Sequence, residues 1–211
     1  VENNTKKTSI SSHAISDDTP DIAGLDSDEH RFATAWGREA DPKLIAFRKW
    51  TERFAASPKE ARKTLLEEGL ELAKGRGQVM AELIVSDPRQ AINSTVPYSV
   101  RKQLPIEIIQ HLEHRIDGIG DLDVMGVTPL AESTRKGPYT ERVAHIEGRS
   151  FDAFVYGDTK SYKTRTAIPL HGIAVGNDIA LLDGPLRILE EGEASVPAEH
   201  RIISRYRREA A

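Results

Sequence analysis

The sequence predicts an α+β fold: an N-terminal helical subdomain over residues 32–117, packed on a small C-terminal antiparallel β-sheet or barrel over residues 118–194. Apolar residues recur at helical spacing up to about residue 117, then alternate in short runs, and the second half is punctuated by glycine-containing turns. The change of period falls within Leu104–Val127, LPIEIIQHLEHRIDGIGDLDVMGV. A polar arm (1–31) precedes the two parts and a basic tail or linker (195–211) follows them.

Taken in order, the arm is rich in Ser, Thr, Asn and Asp, with few large apolar groups to offset its ordering entropy, so a flexible arm is expected. Asp41-Pro42 is a helix start, with an Asp cap and proline in the first turn. Leu44, Phe47, Trp50 and Phe54 share one face of that helix; an aromatic stripe at this spacing reads as core rather than as a ligand stack. Ser57-Pro58, with Glu60 at capping-box spacing, opens a second helix expected to end at Gly75 or Gly77. Residues 77–93 read as one more helix with a new start at Ser86-Asp87-Pro88. Pro105 then begins a helix whose stripe is Ile108, Ile109, Leu112 and Ile116, ending at Asp117-Gly118.

Beyond a polar connection at 128–141, short strands are expected at Arg142–Ile146, Phe151–Tyr156, Thr164–Leu170, Ile173–Val175, Ile179–Leu182 and Leu186–Leu189. Gly176-Asn177-Asp178 is a tight-turn signal between two of them.

Composition excludes some chemistries. Cysteine is absent, which removes disulfides, thiolate metal sites and cysteine catalysis. The net charge of −4, with acidic and basic residues mixed, gives no argument for nucleic acid. No apolar run is long enough for a membrane-spanning helix. The chain begins at Val1, which fits either removal of a leader or a shortened chain.

Four constellations bear on chemistry. His111 and His114 are three apart, whereas the helical zinc motifs need four, so a solvated helix face is the reading. Asp117, Asp121 and Asp123 supply oxygen ligands among glycines but not the EF-hand pattern, and read as a turn. His171 beside Gly172 has no serine nucleophile motif to serve. Gly75-Arg76-Gly77 is too short for a phosphate loop. No residue is assigned a catalytic, cofactor-binding or metal-binding role, and no cofactor is expected.

Two passages, GRGQVMAELIVSDPRQAI with VRKQLPIEIIQHLEHRIDGIGDLDV after it, and IEGRSFDAFVYGDTKSYKTRTAIPLHGIAVGNDIALLDGPLRILEEGEA, carry a resemblance over about residues 44–194. They resemble the N-terminal, non-catalytic region of large exported multidomain bacterial proteins, several of which look like zinc metallopeptidases further along the chain. No catalytic residue lies in the shared pattern. The resemblance implies a secreted, periplasmic or cell-surface module that precedes an enzyme and is not itself one. Arg205, Arg207 and Arg208 then read as an exposed, cleavable end.

The expected function is therefore non-enzymatic: a propeptide, or a docking domain for a peptidase-like partner, most simply the remainder of its own precursor. A structural subunit of a surface assembly and a small metal-dependent hydrolase using His111 and His114 stand as rivals. Pairing is expected along strand edges, with Phe151–Tyr156 and Ile179–Leu182 the candidate strands.

Overall fold

A computed structural model describes residues 28–130 and 137–193. Most of the expected arm, part of the polar connection and the basic tail lie outside the described residues.

The first helix, α1, spans Pro42–Ala56. Its start is the expected one: the Asp41 carboxylate accepts from the amides of Lys43 (2.7 Å) and Leu44 (3.3 Å). Its buried stripe is Leu44, Phe47, Trp50 and Phe54, so the aromatic run is core. The second helix, α2, runs unbroken over Lys59–Ser86 and does not stop at Gly75 or Gly77. Gly69 and Gly77 serve close packing instead of termination. A Cβ on Gly69 would lie 2.2 Å from the Trp50 ring, and one on Gly77 would lie 3.2 Å from the His111 carbonyl oxygen. Nor does Ser57 cap α2; its hydroxyl donates back to the Arg53 carbonyl.

Three short helices follow. In α3 (Pro88–Asn93) Asp87 accepts from the Gln90 amide at 2.9 Å, as the Asp-Pro signal predicts. The others are α4 (Tyr98–Arg101) and α5 (Ile106–Ile109).

The helix expected to reach Asp117 is thus a single turn. A 14-residue strand, β1, begins at His114 and runs to Val127. The apparent helical stripe straddles two elements: Ile108 and Leu112 pack among the helices, while Ile116 packs inside the barrel. The glycines read as a cap belong to the strand. At Gly120 a Cβ would lie 2.4 Å from the His145 carbonyl oxygen, so only glycine admits the neighbouring strand there.

The remaining strands are β2 (Tyr139–Ile146), β3 (Arg149–Val155), β4 (Arg165–Val175) and β5 (Asp178–Leu181). The pieces expected either side of His171-Gly172 are one strand, and Leu186–Leu189 is not a strand. Gly176, at φ +62°, and Asn177 form the expected turn between β4 and β5. The strands close into a barrel in the order β1-β2-β3-β5-β4. Four of the pairings are antiparallel; β3 and β5 run parallel, so the barrel is mixed. The crossover from β3 to β4 places β5 between them. Ile179–Leu181 is therefore paired on both sides and offers no edge.

Alternation along the strands divides the core. Leu122, Ala144, Ile146, Phe151, Leu170, Ile179 and Leu181 fill the barrel. Ile173, Ala180 and Leu182 point outward and meet Leu44, Met80, Ile84 and Ile92 of the helical layer. The helices thus cover the β4–β5 side of the barrel. The β1–β2 side carries Asp121, Asp123, Glu141 and His145, none of them fully buried.

An ionic tether joins the two layers. Glu113, wholly buried just before β1, accepts from the Val96 amide (2.9 Å) and from Arg76 of α2 (3.2 Å). Arg76, equally buried, also donates to the Ser94 carbonyl (2.7 Å) and stands over the Phe47 ring. Burial alone would push the Glu113 carboxyl up. The Arg76 and Arg101 guanidiniums and the Val96 amide outweigh it and hold the group below its ordinary 4.5.

Two predictions arise from this packing. Trp50→Ala should cost about 3–5 kcal/mol in chemical denaturation, as for other buried aromatics, and Gly69→Ala should also destabilise despite its better helix propensity, because the new methyl meets the indole. Because the folded-state value of Glu113 is depressed, its stabilisation is full above pH 4.5 and is lost as pH falls through the folded value. Glu113→Gln should cost about 3–5 kcal/mol at neutral pH by leaving Arg76 without its counter-charge. It should also flatten the acid limb of a melting-temperature profile taken down to about pH 3.

Candidate functional site

The site is the place where one ladder of the barrel stops. β2 and β3 meet in a hairpin whose turn residues, Glu147 (φ 52°) and Gly148 (φ 78°), both lie in the left-handed region of a primed turn. Pairing runs from Ile146↔Arg149 to Val143↔Asp152 and ends there. Beyond that point Thr140–Arg142 pairs only with β1, and Ala153–Val155 only with β5.

Pairing geometry shows where the backbone groups point. The N–H and C=O of Val124 both engage the Thr164 hydroxyl, on the β4 side of β1 (2.9 and 3.3 Å). Its partner Arg142 therefore turns its own N–H and C=O away from β1, and Thr140 does the same two residues earlier. Asp152 donates its N–H to the Asn177 carbonyl on the β5 side, so the polar groups of Ala153 and Val155 turn toward β2. Two strand edges thus face each other across a gap.

The divergence has a visible cause in the loop at 156–164. Lys160, 2% exposed, donates to the carbonyls of Leu182 (2.5 Å), Asp183 (2.8 Å) and Gly184 (2.8 Å). The amides of Thr159 and Lys160 donate to the Asp183 carboxylate. These bonds tie the exit of β3 to the exit of β5 and draw β3 along β5, away from β2. Arg142 closes the barrel end by donating twice to the Ser161 carbonyl (3.1 and 2.7 Å). Burial pushes the Lys160 ammonium down to about 8, against the opposing Asp183 charge.

The resulting cleft, about 630 Å³, is walled by β2 and β3 on the barrel side and by Val85, Ser86 and Pro88 on the helical side. Val85 is half exposed and Phe154 is partly buried. Glu141 and Asp152 stand exposed on its walls. Asp178 is the cross-strand partner of Asp152, and burial together with the Asp152 charge pushes its carboxyl above the ordinary 3.8. Among the described residues, none of these three carboxylates makes an ion pair.

The residues singled out from sequence go elsewhere. His111 and His114 line a shallow groove with Lys74, Gln78 and Gln110. Asp117, Asp121 and Asp123 project from β1 to three separate partners. Asp117 accepts from Arg187 through both oxygens (2.9 and 2.8 Å) and lies 2.7 Å from His171 Nδ1. Asp121 accepts from the Ala167 amide (2.8 Å), where the β1–β4 register shifts. Asp123 lies 3.1 Å from His145 Nε2. Among the described residues, no group of three or more metal-ligating side chains is brought together. His171 has both ring nitrogens engaged, the second by the Pro185 carbonyl at 3.2 Å, which leaves neither for a substrate.

One constellation escaped sequence reasoning. His145 also contacts the Ser150 hydroxyl through Nδ1 (2.9 Å), which places Asp123, His145 and Ser150 in a row across three strands. The row has the composition of a hydrolytic triad. It lies on the open outer face of the barrel, away from the cleft, with His145 43% and Asp123 42% exposed. Without a water-excluding pocket, such a row is surface hydrogen bonding. No sequence signal found it, because the three residues meet only through strand register.

Comparison with family models, with curated proteins and with solved structures gives no match.

The Lys160 tie makes a testable claim about how the cleft is held open. Lys160→Met keeps the side chain's length but strips three carbonyls of their donor. It should lower stability by about 3 kcal/mol in urea unfolding and raise amide exchange at residues 156–164 and 182–184.

Proposed function

We propose that this chain is a non-enzymatic docking module of an exported protein, and that it holds an extended segment of a second polypeptide in the cleft between β2 and β3. The observation that carries the reading is the ladder that stops at Val143↔Asp152, leaving two strand edges facing a cleft. Strand edges recruit extended chain through backbone hydrogen bonds, and sheet-edge addition is a recurrent mode of peptide capture. Here the partner enters a gap inside a barrel, so its edge is protected from indiscriminate pairing.

The chemistry of the other polar groups supports the same reading. Asp117, His171, Arg187 and Glu193 bond to one another and to the backbone, as do Arg76 and Glu113. These groups hold the fold together. Small five-stranded Greek-key barrels also include oligonucleotide-binding types, but architecture does not bring function with it. The open face here presents Asp121, Asp123, Glu141 and Asp152, which repel a phosphate backbone.

The resemblance to regions preceding peptidase-like domains makes the remainder of a common precursor the first partner to test, with this chain acting as propeptide or as a bound N-terminal subunit. The test is co-purification with the product of the downstream coding sequence. Thr140→Pro removes an N–H that faces the gap and leaves the β1 ladder intact, so it should cut capture at least about ten-fold, ~1.4 kcal/mol, without lowering the melting temperature appreciably. Capture unaffected by Thr140→Pro, or normal maturation of a precursor lacking residues 32–194, sinks the reading.

A further inference from the structure

We infer that the segment received in this cleft is a basic extended strand, carrying Lys or Arg at alternate positions and apolar residues between them. The inference rests on the docking reading above and adds the chemistry of the occupant.

A strand paired with the backbone of Thr140 and Arg142 presents alternate side chains to opposite faces. On the outer face it meets Glu141 on one wall and Asp152 on the other, with Asp178 beside Asp152. These carboxylates have no cation of their own among the described residues. Arg142, which also lines the cleft, is held on the Ser161 carbonyl and forms no ion pair with them, and Arg89 pairs with Glu29 (3.7 Å) and stands over the Tyr156 ring. A neutral or acidic strand would desolvate the carboxylates without compensation. A Lys or Arg would relieve the Asp152–Asp178 repulsion and gain an ion pair in a partly dry setting.

On the inner face the strand meets the apolar Ala153 and Val155, beside Arg142 held on the Ser161 carbonyl, so apolar groups pack there and a second cation on that face is disfavoured. Val85 and Pro88 close the helical side and provide apolar cover for the stems of long basic side chains. The acidic walls supply the direction of charge, and the stopped ladder supplies the requirement for an extended backbone.

The experiment uses the full chain and two eight-residue peptides, one alternating Lys with Val and one alternating Glu with Val, titrated by calorimetry at low salt. The Lys peptide is expected to bind at least ten-fold more tightly, and its affinity to fall as salt rises. The double substitution Glu141→Lys with Asp152→Lys should reverse the preference, while Thr140→Pro should weaken both peptides. Since the chain lacks cysteine, Thr140→Cys offers a single thiol that should cross-link a cysteine-bearing Lys peptide selectively. Equal binding of the two peptides, both lost in Thr140→Pro, overturns the basic occupant and leaves the docking reading standing. Binding of the Lys peptide that survives Thr140→Pro overturns it as well, since the contact is then off the cleft. No binding of the Lys peptide up to about 1 mM overturns the inference; the docking reading falls separately, by capture of the downstream product indifferent to Thr140→Pro or by normal maturation of a precursor lacking residues 32–194.

Discussion

The buried carboxylate of Glu113 fixes the relation between the helices and the barrel. It stands immediately before β1 and takes hydrogen bonds from Arg76 in α2 and from the backbone at Val96. A charge in this setting is tolerable only when paired, so α2, the segment after α3 and the root of β1 must arrive together. The network continues along the strand. Arg115 donates to the Val96 carbonyl and to Glu190, and Asp117 holds Arg187, which in turn holds Glu193. The segment after the last strand is therefore strapped back onto the first strand of the barrel and the loop before it.

From that root the barrel is built to different standards at its two ends. Around Glu113 and Arg115 it is dense and ionic. At the far end the β2–β3 ladder is given up, and the loop anchored by Lys160 decides the direction of β3. A closed barrel removes edges that would otherwise invite aggregation. This one keeps a short stretch of edge within a cleft, flanked by α2 and by carboxylates. That combination leaves the edge walled in rather than open to indiscriminate pairing.

Several polar residues that look chemical in the sequence are instead bonded into the fold. His171 is held at both nitrogens, Asp121 satisfies an amide at a bulge, and Arg76 lies wholly inside. The cleft is made of residues with no signature at all, such as Thr140, Ala153 and Val155. Its most distinctive property is a missing set of backbone bonds, and backbone bonding between distant strands leaves no mark on residue type.

What the sequence by itself determined was local. Asp41-Pro42 and Asp87-Pro88 start helices because a carboxylate reaches amides two or three residues on. Gly176-Asn177 turns the chain within a hairpin, and the Leu44–Phe54 stripe shows the buried face of one helix. The α+β order followed from such signals. The tertiary structure decided whatever depends on residues far apart. Gly69 and Gly77 became packing positions because Trp50 and the His111 carbonyl approach them. Ile116 left a helical pattern because pairing with β4 outweighs the periodicity of a short segment. The parallel β3–β5 pair and the stopped ladder join residues far apart in the chain, and Lys160 braces them by reaching carbonyls more than twenty residues away. Capping and turn preferences act over a few bonds and can be read along the chain. Strand partnership is set by which surfaces and charges can be buried together, and that is settled only when the whole chain has closed.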